Sequence, residues 1–115
     1  MNEKENLINN FRSELKRGVL VLSVLAATRE ASYGYQLIRF LGDAGLEAEG
    51  NTLYPLLRRL EEQNLLESKW NVDGDKPRKY YQITPFGQEV LEKLKENWLM
   101  TVASVAHLLG EENNG

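Results

Sequence analysis

At 115 residues and 13.2 kDa, the chain has room for one hydrophobic core, because single domains commonly run to roughly 100–150 residues. A hydrophobic share of 42% beside 27% charged residues excludes a disordered chain, and no apolar run approaches the ~18 residues that span a bilayer. The absence of cysteine excludes disulfides and thiolate metal sites, and the net charge of −3 speaks against a uniformly basic nucleic-acid binder.

The acidic excess is local, however. Residues 84–115 hold Lys93 and Lys95 against Glu89, Glu92, Glu96, Glu111 and Glu112, which leaves residues 1–83 neutral overall. A DNA surface needs only a cationic patch, since distant charge is screened within ~8–10 Å. The N-terminal stretch Met1 to Asn10 is polar and mixed in charge, without the apolar segment of a secretion signal. A cytoplasmic protein with no membrane partner is expected.

From Asn6 to Thr28, the residues Leu7, Phe11, Leu15, Val19, Leu22 and Leu25 recur at steps of three and four, which is one stripe on a helix. Its second half, Val19 to Ala27, is apolar nearly all round and predicts burial between other elements. Ser32 is the expected N-cap of a second helix through Tyr35, Leu37, Ile38 and Leu41, and Gly42, Asp43, Ala44 and Gly45 end it. A third helix is signalled by Thr52 as cap with Pro55 in the first turn, where the missing N–H costs no internal bond. Leu53, Leu56, Leu57 and Leu60 form its apolar face, leaving Asn51, Thr52, Tyr54, Arg58, Arg59 and Glu62 on the other side. Asn64 suits the left-handed residue that closes such a helix.

Leu66 to Asn71 and Arg78 to Ile83 read as two strands flanking Val72-Asp73-Gly74-Asp75-Lys76-Pro77, a turn-forming loop, so a hairpin is expected. Thr84 followed by Pro85 starts a last helix that runs to about Leu109, before Gly110. Leu91, Leu94, Trp98, Thr101, Val105 and Leu108 lie along it at spacings of three and four, a heptad-like seam. A domain this small has little left to cover that seam, so a second copy of the chain is the economical partner and a homodimer is expected.

The order helix, helix, helix, hairpin, helix predicts a mainly α fold with a two-stranded β wing. It is a winged helix-turn-helix with a long C-terminal dimerisation helix. Arg58 and Arg59 fall on the expected recognition helix, while Lys76, Arg78 and Lys79 cluster at the hairpin with Lys69 on the opposing strand. A helix in the major groove and a basic wing along adjacent phosphates are the two contacts such a fold offers.

Three blocks sharpen this. Tyr33-Gly34-Tyr35-Gln36-Leu37-Ile38, Thr52-Leu53-Tyr54-Pro55-Leu56-Leu57-Arg58-Arg59-Leu60-Glu61, and Pro77-Arg78-Lys79-Tyr80-Tyr81-Gln82-Ile83-Thr84 with Gly87 resemble signatures of the PadR family of bacterial transcriptional repressors. The resemblance spans about residues 18 to 90. The short chain with a single C-terminal helix is similar to the compact LmrR-like branch, which dimerises through that helix. The resemblance implies a homodimeric repressor of a pseudo-palindromic double-stranded DNA operator, with DNA contacts from Tyr33, Asn51, Thr52, Tyr54, Arg58, Lys76, Arg78 and Lys79. Residues 1–83 would form the DNA-binding region, residues 84–110 the dimerisation helix and residues 111–115 a loose tail. Asn64 departs from the usual glycine, and Asp75 makes the wing less basic than is common.

Each of these residues has a plainer reading. Tyr33 and Tyr54 pack between helices equally well. Arg58 has Glu61 and Glu62 within reach at helical spacing for a solvated ion pair, and the wing cations form a solvated loop if no DNA is present. Trp98 in a seam packs well without a ligand. The resemblance also implies that a tryptophan pair lines a pocket between subunits for planar hydrophobic effectors, with Leu15, Val19 and Val102 around it. Catalysis is not expected: the chain has one histidine, His107, no cysteine nucleophile, no glycine-rich phosphate loop and no zinc pair. No cofactor or metal is expected. The rival function is a winged-helix module for protein interaction or drug sequestration that lacks specific DNA binding.

Overall fold

A computed structural model describes residues 2–111. The elements in chain order are α1 (Glu3–Ala27), β1 (Ser32–Tyr33), α2 (Gly34–Asp43), α3 (Gly50–Glu62), β2 (Leu66–Asn71), β3 (Arg78–Ile83) and α4 (Pro85–Leu108). The hairpin strands and the start of α4 fall where the sequence places them. The sheet has three antiparallel strands in the order β1-β3-β2 rather than two. The added strand is the two residues before α2, too short for any alternation to reveal. They pair as Ser32 with Tyr81 and Tyr33 with Tyr80. The expected tail from residue 111 lies, beyond Glu111 itself, outside the described residues.

Helix ends explain most of the boundary differences. Asn2 caps α1, accepting from the Glu5 N–H at 2.8 Å, so the helix starts earlier than the apolar stripe does. Tyr33, not Ser32, occupies the N-cap of α2 and donates its backbone N–H to Gln36 Oε1 at 3.1 Å, while the Ser32 hydroxyl donates to the Glu30 carbonyl. Helix α3 begins at Gly50 with Glu49 as N-cap, which moves Thr52 into the first turn and puts Pro55 inside the helix. The ring is tolerated there at the loss of a single i→i−4 bond near the helix start. Asn64 has φ of 63° and completes a Schellman closure of α3: Leu65 N–H donates to Leu60 O at 2.9 Å and Asn64 N–H to Glu61 O at 3.0 Å.

The core is formed by Val24, Leu25, Leu37, Leu41, Leu53, Leu57, Leu60, Leu65, Leu66, Tyr81 and Leu91. Helices α1, α2, α3 and α4 and both hairpin strands all contribute to it. Two polar side chains fasten its edges. Thr28 is fully buried, its hydroxyl donating to the Val24 carbonyl at 2.8 Å, while its own carbonyl accepts from the Ile83 N–H at 2.9 Å and ties the end of α1 to the end of β3. Thr84 donates its hydroxyl to Asn64 O at 2.7 Å and accepts from Gly87 N–H at 2.9 Å, joining the start of α4 to the α3–β2 corner.

Only the second half of α1 and the first half of α4 reach this core. The expected stripe of α1 is therefore split: Leu25 is buried, while Leu7, Phe11 and Leu15 are exposed on the single chain. The α4 seam divides in the same way. Leu91 is 5% exposed and belongs to the core of its own chain, whereas Trp98, Val105 and Leu108 are 42%, 46% and 83% exposed.

Candidate nucleic-acid interface

Helix α3 buries Leu53, Leu57 and Leu60, so its remaining faces must look outward. Asn51, Thr52, Tyr54, Arg58 and Arg59 are all exposed along it. Among the described residues Arg58 forms no ion pair, because Glu61 is engaged elsewhere and Glu62 has no cation within salt-bridge range. Of the two readings of Arg58, the free guanidinium is the one this geometry favours.

The strand register sorts the wing into two faces. Trp70 opposite Lys79, Ser68 opposite Tyr81 and Leu66 opposite Ile83 share the face turned to the helices. Asn71 opposite Arg78 and Lys69 opposite Tyr80 share the other, and β1 continues it with Tyr33 beside Tyr80.

On that second face the Arg78 guanidinium lies 4.5 Å from the centre of the Tyr33 ring, and Tyr33 meets Tyr80 edge-on at 5.4 Å. This cation–π stack ties the loop end of the hairpin to the residue that precedes α2 and leaves the arginine exposed. Tyr33 thus packs and faces outward at once, which is why neither sequence reading excludes the other. Lys76 sits in the wing loop, where it shares a hollow with Asp73 and Asp75 that Arg78 also borders.

Lys79 behaves differently from its neighbours. Its Nζ lies 3.5 Å from Glu61 Oε1 of α3 and 5.4 Å from the centre of the Tyr81 ring, and the second Glu61 oxygen accepts from the Ser68 hydroxyl. This cation bridges β3 to the recognition helix across a partly exposed contact. Sequence alone assigns it to phosphate because a run of three cations shows no sign of which one faces inward.

Between the wing and helices α2 and α3 lies an open cleft of about 300 Å³, lined by Tyr33, Gly34, Tyr35, Tyr54, Trp70, Arg78, Lys79 and Tyr81. Tyr54 closes its floor by lying against the backbone of Gly34, so closely that a Cβ there would fall 2.3 Å from the ring. Four expected residues, Tyr33, Tyr54, Arg78 and Lys79, therefore share one cleft. Asn51, Thr52, Arg58 and Lys76 lie outside its walls, on α3 and in the wing loop. Sequence reasoning passed over Tyr35 and Trp70. The alternation Leu66, Ser68, Trp70 carried the signal, an apolar residue in phase with the core but beyond its reach.

A second hollow, about 390 Å³ and mainly apolar, lies between α1 and α4 and is lined by Gly18, Val19, Val21, Leu22, Leu94, Asn97, Trp98 and Thr101. It brings Val19 and Trp98 together but not Leu15 or Val102. Among the described residues no cluster of His, Cys, Asp or Glu is suited to a metal ion, and no helix is long and apolar enough to cross a membrane.

Residues 21–93 match the transcriptional regulator PadR-like family, a stretch that holds every residue lining the first cleft but, of those lining the α1–α4 hollow, only Val21 and Leu22. The chain belongs to that family. It is similar to a PadR family transcriptional regulator of Eggerthella lenta at 45% identity, with a TM-score of 0.88 over 92% of this chain and 95% of that one. It resembles a PadR-like transcriptional regulator of Bacillus cereus at 34% identity and a TM-score of 0.77, covering 84% and 96% of the two chains. A transcriptional regulator of Mycobacterium tuberculosis is 36% identical over 80 residues, 68% of this chain and 74% of the relative. This PadR-like protein is accordingly a winged-helix DNA-binding transcriptional regulator and not an enzyme.

Proposed function

We propose that this PadR-like protein is a homodimeric repressor that presents two α3 helices and two wings to a pseudo-palindromic operator and is released by a small molecule. The observation that carries the reading is the Arg78–Tyr33 stack, which holds an exposed cation at the cleft that Tyr54 of α3 also lines. A recognition helix fixes register only if nearby groups hold the phosphates, and a guanidinium stacked on tyrosine is pre-positioned to do so. Asn51, Thr52, Tyr54 and Arg58 then face the major groove, and Lys76 follows the wing along the backbone. Lys79 supports the interface by holding the wing to α3.

The test is titration of the full chain with its own upstream promoter and with a scrambled duplex at two salt concentrations. The promoter should bind with clear preference, and both affinities should fall steeply with salt as counterions are released. Arg78→Ala should weaken promoter binding about tenfold and lower the salt slope by about one. Equal weak binding to both duplexes would favour the protein-interaction module instead.

The α1–α4 hollow supports the effector arm of the proposal, since Trp98 and Val19 offer a flat apolar surface inside it. Planar aromatic compounds should quench Trp98 fluorescence on titration. No change across a broad panel would remove the effector from the mechanism.

A further inference from the structure

Trp70 is 66% exposed, yet it lies on the helix-facing side of the wing, opposite Lys79 and in line with the buried Leu66. An indole this exposed stands outside the core of the single chain. It forms one wall of the cleft whose other walls are Tyr33, Tyr35 and Tyr54 and whose rim is Arg78. Lys79 also lines the cleft, but Glu61 already neutralises it. The cleft is therefore aromatic on its sides and, among the described residues, carries one cation outside any ion pair, the Arg78 stacked on Tyr33.

Resting on the DNA-binding reading, we propose that this cleft seats one deoxyribose–phosphate unit of the strand that passes between the recognition helix and the wing, with Trp70 against the sugar and Arg78 on the phosphate. The occupant follows from chemistry and place. The cleft is continuous with the outward face of α3 through Tyr54, so whatever α3 docks on also passes the cleft. The cation calls for an anion, and the aromatic walls call for an apolar partner directly attached to it. In a duplex the bases are stacked and unstacking them is costly, whereas the sugars present their C–H faces outward beside each phosphate. A sugar contact is independent of sequence, so Trp70 sets how deeply the duplex seats rather than which bases are read.

Trp70→Ala should weaken operator and scrambled duplex alike by about 5–10-fold, as expected from losing a modest apolar contact. It should leave the salt slope at the wild-type value, because no charge is removed. Trp70→Phe should remain within about twofold on both duplexes, since the aromatic wall persists. The chain has two tryptophans, so in Trp98→Phe the emission of Trp70 should change on addition of either duplex.

Affinity of Trp70→Ala within twofold of wild type, a loss confined to the operator, or unchanged Trp70 emission on DNA binding would each overturn the proposal. If the wild-type chain binds neither duplex, the DNA-binding reading fails and takes this one with it. Wild-type binding with an indifferent Trp70→Ala defeats this one alone.

Discussion

Gly87→Ala is expected to destabilise the fold by about 2–4 kcal/mol, enough to leave a small domain partly unfolded at ambient temperature. A Cβ on Gly87 would fall 2.2 Å from the Leu65 carbonyl oxygen and 2.7 Å from Ile83 Cγ1. The isoleucine clash is with a side chain that is only partly buried, but the carbonyl is backbone and is held in place. It accepts from the Thr84 N–H at 3.0 Å, and its residue closes α3 through the Leu65 N–H to Leu60 O bond at 2.9 Å. Relieving the clash would separate the start of α4 from the α3–β2 corner and break the Thr84 bonds that join them. Denaturant melts monitored by circular dichroism provide the measurement. Gly42→Ala supplies the control, since nothing lies within 4 Å of its Cβ position, and a helical glycine replaced by alanine should be neutral or gain up to about 1 kcal/mol. A Gly87→Ala midpoint equal to wild type would mean that the corner is looser than its hydrogen bonds imply.

Val105→Asp is expected to convert the protein to a monomer that keeps its fold and loses operator affinity by about 10²–10³-fold. The two effects separate because Val105 is half-exposed on the single chain. An aspartate there disturbs little within one copy but buries two unpaired carboxylates across a twofold contact. Linked recognition helices owe much of their joint affinity to the high effective concentration of the second helix once the first has bound, and a monomer forfeits it. Sedimentation at micromolar concentration, melting and operator titration together make the check. A dimer that survives Val105→Asp would place the contact on another surface. A monomeric wild type would leave the exposed Trp98, Val105 and Leu108 to some other partner.

Much of the fold was legible because its signals are local. The Leu53, Leu57 and Leu60 face of α3, the Thr84-Pro85 start of α4 and the turn residues between Leu66–Asn71 and Arg78–Ile83 each encode an element within a few residues. Asn64 announced a left-handed closure, and the positive φ is there. The misreadings arose where the local signal was ambiguous. Thr52 with Pro55 looks like a helix start, yet three further residues join α3 upstream, where the Glu49 carbonyl accepts from the Leu53 N–H at 2.9 Å without any side-chain cap to mark the start.

The candidate interface was legible as a set of residue types and not as an arrangement. The sequence by itself determined a winged helix of this family, an aromatic and basic composition near the wing, and an apolar seam too long for one core. Tertiary structure alone decided that Arg78 stacks on Tyr33 while its neighbour Lys79 turns inward to Glu61. It also decided that Leu91 belongs to the core, that Leu108 does not, and that Trp70 stands uncovered in the cleft. The physical reason is range. Periodicity, caps and turns act over a few residues of chain, but whether a cation is free or paired, and whether an apolar side chain is covered, depends on segments such as α3 and β3 that meet only once the chain has folded.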